Sequence, residues 1–393
     1  MLLLARRVAV VGVGHGKFGY RVDVSIAEMA WEAIREALND ANIEAKDIDF
    51  VVYGHAGGWS SEAMTPIVVN EYAGLYPKGS LRVEAACATG TAAVKVGHDA
   101  IASGQADVVL VVGVEKMNES PVPSVVELIG RAGNYFWEFE NFGLTFPGYY
   151  ALYASAYMAR YGATEEDLCS IAVKNHYYAS FNPKAHFPRK ITVEDCMSSR
   201  YIAWPLKLYD SSPITDGAAA VVLASEDVAK KLTDTPVWIT GIGYATDTSN
   251  LSRRPDFNLR RASIEAARMA YKRAGIDGEP HRYIDVAEIH DAFTIAEVLT
   301  YEELGIAKPG EGYKLAREGQ TYIGGRLPVN LSGGLKAKGH PIGATGVSMA
   351  VELVRQLRQE VEKDRQADIK NGRALAHNVG GTGHYTYVIV YSL

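Results

Sequence analysis

Val8-Ala9-Val10-Val11-Gly12-Val13-Gly14, near the start of the chain, and Val237-Trp238-Ile239-Thr240-Gly241-Ile242-Gly243, near its middle, read as one phrase written twice. Each is a short β-type run ending in Gly-x-Gly. Each is followed by apolar residues at helical spacing: Met29, Ala30, Ala33, Ile34 and Leu38 within Ile26 to Ala41, and Ile264, Ala267, Met269 and Ala270 within Ala262 to Ala274. That spacing gives a helix one buried face. The helices run into matching phrases, Ala41-Asn42-Ile43 and Ala274-Gly275-Ile276, and then into strand-like runs, Ile48 to Val52 and Ile284 to Glu288. Further on, Ala88-Thr89-Gly90 and Ala344-Thr345-Gly346 each open a helix of small residues. Those helices lead to late strands, Asp107 to Gly113 and Arg373 to Asn378. Two copies of β-α-β-α-β predict an α/β protein of two similar halves. A pseudo-twofold axis between them would bring equivalent loops to one site.

The segment between the copies is aromatic-rich, with Tyr135, Phe136, Trp137, Phe139, Phe142, Phe146, Tyr149 and Tyr150, and has helical spacing over Tyr149 to Tyr161 and Thr164 to Ala179. It is too long for a plain connection and reads as an insertion that covers the site and lines a pocket; a dimer interface is the plainer alternative. The expected organisation is a first half over residues 1–119 with 212–232, a covering insertion over 120–211, and a second half over 236–393. Asp227 to Thr235 reads as the linker, and Arg355 to Lys370 as a solvated helix and loop.

The chain has 393 residues, 48% of them hydrophobic, and a formal charge of −6. That suits two packed units and, without a basic block, argues against nucleic-acid binding. No run reaches the roughly 20 apolar residues of a membrane helix, and the apolar start, Met1 to Leu4, is too short for a signal peptide. The three cysteines, Cys87, Cys169 and Cys196, show no disulfide framework and no zinc-ligand spacing. A reducing, cytoplasmic setting is expected.

Cys87 lies in Val83-Glu84-Ala85-Ala86-Cys87-Ala88-Thr89-Gly90, between a strand end and a small-residue helix. A thiol at a helix N-terminus meets the positive end of the dipole, which lowers its pKa and favours a nucleophile; inert packing is the competing reading. Cys169 and Cys196 lack such a setting. Of ten histidines, His290, His340 and His377 fall at strand ends or before helices, where open α/β sheets carry their sites. The other seven read as ordinary packing or loop histidines. Three histidines invite a metal, but no carboxylate cluster accompanies them, so no metal site is expected. Gly14-His15-Gly16-Lys17-Phe18-Gly19 fits a dinucleotide-binding pattern literally, a weak signal alone.

These phrases together resemble the thiolase superfamily across nearly the whole chain. The loop around Cys87 is similar to the thiolase nucleophile loop. Asn330 to Gly346, with Gly339-His340-Pro341, is similar to the thiolase glycine-rich segment, and Ser212 to Ala220 to the phrase that closes its first half. His290-Asp291-Ala292-Phe293 resembles the branch of sterol-carrier-protein thiolases and archaeal acetoacetyl-CoA thiolases. A thiolase-like, duplicated α-β-α-β-α layered fold is implied. Where the common family has a second catalytic cysteine, the matching stretch here is His377-Asn378-Val379-Gly380-Gly381-Thr382-Gly383, which puts His377 at the cysteine position.

The resemblance implies acyl transfer through Cys87, with His340 as its base, His340 and His290 at the first oxyanion, His377 as the base at the second substrate's α-carbon, and backbone N–H groups of Cys87, Val379 and Gly380 at the second oxyanion. Coenzyme A thioesters are substrates, and no cofactor is implied. Lys336, Lys338, Arg189, Arg253 and Arg254 are candidates for phosphate contacts, though surface charge is the plainer reading of each singly. A homodimer or dimer of dimers, and a complex with hydroxymethylglutaryl-CoA synthase and a small zinc-ribbon/OB-fold protein, would follow from the archaeal branch. The rivals are an acyl-CoA carbon–carbon lyase or an acyltransferase to a non-CoA acceptor on the same fold, a non-catalytic acyl-CoA-binding subunit, and a dinucleotide oxidoreductase.

Overall fold

The computed structural model describes residues 6–393; the apolar start of the chain lies outside them. The first half holds β1 (Val8–His15), α1 (Ile26–Asp40), β2 (Phe50–Gly54), β3 (Gly79–Val83), α2 (Thr89–Ala102) and β4 (Val108–Glu115). The insertion carries α3 (Phe146–Tyr161) and α4 (Glu165–Ala179), and β5 (Gly217–Ser225) returns to the first half. The second half holds β6 (Val237–Thr246), α5 (Arg261–Ala274), β7 (Val286–Ile289), α6 (Thr294–Glu303), α7 (Ile342–Arg358), β8 (Arg373–Gly380) and β9 (Tyr385–Ser392).

The strands run in the order β3-β2-β4-β5-β1-β6-β9-β8-β7. The halves correspond strand by strand. β1 pairs antiparallel with β5 as β6 does with β9, and β2 pairs parallel with β4 as β7 does with β8. Edge strand β3 has its counterpart in a single parallel bridge, Ala287 to Val329. Two residue pairs, Ala9–Trp238 and Val10–Val237, join the copies.

The repeated Gly-x-Gly has a packing cause. A Cβ on Gly12 or Gly14 would overlap the carbonyl oxygens of Ala37 or Ala33 in α1, and one on Gly241 or Gly243 those of Ala270 or Ala266 in α5. Only glycine lets these helices lie so close to their strands. Gly14 is therefore spent on packing, and Gly16 sits against Glu32 and the Ala218 carbonyl; the hollow lined by His15 within the dinucleotide-like pattern holds about 70 Å³, too little for a dinucleotide. The two helices also stop alike, with Asn42 (φ 53°) and Gly275 (φ 65°) in the left-handed conformation just beyond them.

α2 and α7 pack on each other between the strands of the two halves. They touch at the glycines of the two Ala-Thr-Gly phrases: a Cβ on Gly90 would lie 2.7 Å from the Gly346 nitrogen. This contact brings the N-termini of both helices together, and with them Cys87 and His340.

Several expectations change. Cys169 and Cys196 are disulfide-bonded, with Cα atoms 5.7 Å apart, joining α4 to the helix Val193–Ser198. Sequence spacing is blind to such pairing, and the argument for a reducing compartment loses its ground. The expected linker is mostly the helix Glu226–Leu232. The run from Arg355 to Lys370 is not simply solvated: Arg365 is buried and pairs with Glu352 at 2.5 Å, while Gln356 donates to the Arg365 carbonyl. Among the described residues, no helix is long and apolar enough to cross a membrane.

Candidate active site

The second-half loops are set by buried carboxylates near the end of β7. Glu288 accepts from the Ser332 N–H (3.0 Å) and hydroxyl (2.5 Å), Ile289 N–H donates to Asn330, and Asp291 accepts from the Leu335 N–H at 2.6 Å. This lashes the glycine-rich segment to the strand that carries His290. Across the site, the buried carboxylate of Glu115 accepts from the N–H groups of Ala56 (2.9 Å), Gly57 (3.0 Å) and Gly343 (3.0 Å) and from the Trp59 indole (2.8 Å). It ties the end of β4 to the start of α7.

Cys87 Sγ and one nitrogen each of His290 and His340 lie within 4.8 Å of one another, all three buried. The hydrogen bonds give each ring a tautomer. The Thr345 hydroxyl donates to the Pro341 carbonyl (3.0 Å), so its oxygen is left to accept from His340 Nδ1–H at 2.7 Å. His340 Nε2 then carries a free lone pair, and it is a buried atom with no partner. The Asn378 amide NH₂ faces His290 Nδ1 at 3.0 Å, and its carbonyl accepts from the Thr91 hydroxyl at 3.0 Å. His290 Nε2–H is then a donor. One ring thus offers a free lone pair to the cavity and the other an N–H. A thiolate with two imidazoles is also a soft ligand set that could hold zinc, but the oriented Asn378 amide turns His290 Nε2 into a donor rather than a ligand.

Burial pushes the Cys87 thiol up to about 12, against the opposing pull of the Gly381 and Cys87 backbone N–H groups. The depressed value expected at a helix N-terminus is not found, because Cys87 sits before the first turn of α2 and desolvation of a charged sulfur outweighs the dipole. Burial likewise holds His340 at about 3. The resting pair is a neutral thiol and a neutral imidazole.

His377 does not join this group. Successive strand residues point to opposite faces. Asn378 faces His290 and α2, so His377 faces away, with its ring on Ser263 of α5 at 3.2 Å. Asn378 is the residue missed; alternation along β8 was the signal that could have found it. The backbone expectation shifts by one residue too. Besides the N–H of Cys87 itself, the backbone N–H that acts on the sulfur is that of Gly381, next to the expected Val379 and Gly380, which lie in register with Thr386 and Tyr385.

Cys87, His290 and His340 open into a cavity of about 360 Å³. The segment 120–211 supplies much of its apolar wall, including Ile129, Phe146, Tyr150 and Leu208. His176, set aside as an ordinary histidine, lines it as well, as do Arg189 at its exposed rim and Lys336. Lys336 is buried, donates to the Ser211 carbonyl at 2.5 Å, and is pulled down to about 8 by burial. The other phosphate candidates are placed elsewhere. Lys338 is buried 3.6 Å from Glu288, Arg254 is buried on Tyr153 and the Thr382 carbonyl, and Arg253 is exposed away from the lining.

Comparison with known proteins agrees with this architecture. Residues 8–227 match the thiolase N-terminal domain and residues 243–393 the thiolase C-terminal domain-like family. The chain is 44% identical over 391 residues to an acetyl-CoA acetyltransferase of Methanothermobacter thermautotrophicus, covering 98% of this chain and 100% of that one. It is 41% identical over 385 residues to an acetyl-CoA acetyltransferase of Methanocaldococcus jannaschii, covering 96% and 97%. A solved structure described as an Ltp2–ChsH2(DUF35) aldolase superposes with a TM-score of 0.85 at 28% identity, covering 99% and 98%. With both halves matched and a buried thiol set between two oriented imidazoles, the chain belongs to the thiolase family and is an acyltransferase.

Proposed function

We propose that the chain is an acetoacetyl-CoA thiolase, an acetyl-CoA C-acetyltransferase that condenses two acetyl-CoA units or, in reverse, cleaves acetoacetyl-CoA with free CoA. The observation that carries this reading is Cys87 with one ring nitrogen each of His290 and His340 within 4.8 Å, in a setting whose hydrogen bonds leave a lone pair on His340 Nε2 and a donor on His290 Nε2. The full-length likeness to archaeal acetyl-CoA acetyltransferases supports the acetyl substrate. His340 Nε2 takes the thiol proton as sulfur attacks the thioester carbonyl. His290 Nε2–H holds the oxyanion, and the CoA thiolate leaves with the proton from His340. His340, neutral again, removes the α-proton of the second acetyl-CoA. The carbanion attacks the acyl-cysteine, whose oxyanion meets the N–H groups of Cys87 and Gly381. Collapse expels the Cys87 thiolate, which recovers its proton from His340. One imidazole serves both proton transfers, because His377 faces the other side of the sheet.

The test is incubation with acetoacetyl-CoA, with and without free CoA, following acetyl-CoA release and the mass of the Cys87 peptide. CoA-dependent cleavage with an acetylated Cys87, both lost in Cys87→Ala, is expected. A second reading, retro-aldol cleavage of a β-hydroxyacyl-CoA, is favoured by the likeness to the aldolase structure. It needs no free CoA and would survive Cys87→Ala. Condensation is uphill, so coupling to a hydroxymethylglutaryl-CoA synthase, through a small zinc-ribbon/OB-fold protein, would draw it forward. The unpaired outer side of β3 supports self-association into a dimer or dimer of dimers, since exposed strand edges invite pairing.

A further inference from the structure

We infer that Asn378 is a positioning residue whose amide, itself oriented by Thr91, selects the Nε2–H tautomer of His290 and so makes that ring an oxyanion donor rather than a second base. The inference rests on the thiolase reading for its consequence in catalysis, but the relay itself is geometric. Asn378, Thr91 and His290 are all buried, at 0%, 1% and 1% exposure. Water therefore has little access to rescue a wrong orientation. The chain of contacts is Thr91 hydroxyl to Asn378 carbonyl at 3.0 Å, then Asn378 NH₂ to His290 Nδ1 at 3.0 Å.

The alternative amide orientation is costly. It would turn the NH₂ toward the Thr91 hydroxyl, whose one acceptor among the described hydrogen bonds is the Asn378 carbonyl. The hydroxyl proton would then be buried without a partner, and an unmet buried donor is disfavoured. Gly346 leaves the room: a Cβ there would lie 2.7 Å from Asn378 Oδ1. The amide thus sits in a slot made by the crossing of α2 and α7, and the same crossing that joins Cys87 to His340 fixes the His290 tautomer.

An aspartate at this position would reverse the logic. A carboxylate accepts only, so neutral His290 would place its proton on Nδ1 and turn a bare Nε2 toward the substrate. Only the imidazolium would then offer an Nε2–H. The titratable and charged groups around this ring are Cys87 and His340 across the cavity, and, farther off, His377, which turns its own ring to the other face of β8, and Arg260, which is neutralised by its bidentate contact with Glu303. None of them supplies the carboxylate that such an imidazolium needs, so the wild-type ring works as a neutral donor.

The experiment has two arms. In the first, protein labelled with ¹⁵N-histidine is examined at pH 7 by long-range ¹H–¹⁵N correlation, with His290 assigned by loss of its signals in His290→Gln. A bare Nδ1 and a protonated Nε2 are expected; the opposite pattern overturns the inference. This arm reads the relay whether or not the enzyme cleaves acetoacetyl-CoA, so its failure is separable from failure of the thiolase reading. In the second, Asn378→Asp should lower CoA-dependent cleavage at pH 8 by about 10²–10³-fold, the usual cost of an oxyanion donor, while Cys87 still reacts with iodoacetamide. Its activity should rise again toward pH 6, because the new carboxylate raises the His290 pKa and the imidazolium regains Nε2–H. The wild type should show no such gain. Thr91→Val should weaken turnover and Thr91→Ser should restore it. A wild-type rate and pH profile in Asn378→Asp would refute the relay.

Discussion

Thr89 and Thr345 hold the same place in the two halves, each in an Ala-Thr-Gly phrase at the start of a central helix, and each does something different with its hydroxyl. Thr89 donates to the Ala86 carbonyl at 2.6 Å and accepts from the Ala85 backbone N–H at 2.9 Å. It closes the turn that presents Cys87. Thr345 also donates to a preceding carbonyl, that of Pro341, but accepts from the His340 ring. One copy uses the hydroxyl to fix backbone and the other to fix an imidazole. Duplication supplied the scaffold twice; the chemistry arose where equivalent positions stopped being equivalent.

The comparison can be tested, the largest effect first. Both partners at the site rest neutral, the thiol held up to about 12 and the His340 imidazole down at about 3. The thiolate fraction of the free enzyme should therefore rise about tenfold per pH unit, so alkylation of Cys87 by iodoacetamide should climb on the order of 100-fold from pH 7 to 9 without levelling. A plateau near pH 7 would mean a preformed thiolate–imidazolium pair. Next, Thr345→Val removes the acceptor that orients His340 and should reduce thiolysis on the order of 10²-fold with little change in melting temperature. Thr89→Val should do the reverse, costing about 1 kcal/mol of stability through the lost turn hydrogen bonds to Ala85 and Ala86. If both act mainly on rate, the division of labour is wrong.

Gly14→Ala and Gly243→Ala should each destabilise by about 1–3 kcal/mol or more, because a methyl group meets a helix carbonyl oxygen in either half. Denaturant unfolding would reveal whether the halves are as alike in packing as in topology. The smallest effect is expected for His377→Gln, well below the ~10²-fold or greater loss that removing a general base brings. A loss of that size or greater would return His377 to the reaction.

The fold was legible because its signals are local and periodic. Helix faces, Gly-x-Gly strand ends and the two Ala-Thr-Gly phrases can be compared along the chain without knowing where anything lies in space. Cys87, His290 and His340 were legible for the same reason, each at the end of a strand or the start of a helix. What was misread depends on orientation. His377 and Asn378 are neighbours in sequence and lie on opposite faces of β8, so a one-residue difference in reading separates a ring packed under α5 from an amide in the site. Lys336 and Lys338 look alike in sequence, but one lines the cavity and the other is buried against Glu288.

By itself the sequence determined a duplicated α/β fold, with a cysteine and two histidines at one end of it, because residue type and spacing decide which segments become strands and helices. Only the tertiary structure decided that Cys169 bonds Cys196, that burial raises rather than lowers the Cys87 pKa, and which nitrogen of each histidine carries the proton. Those outcomes are set by desolvation and by partners far away in the chain, such as Thr91 on Asn378 and Asn378 on His290. No pattern of neighbouring residues encodes such contacts until the two halves have closed on each other.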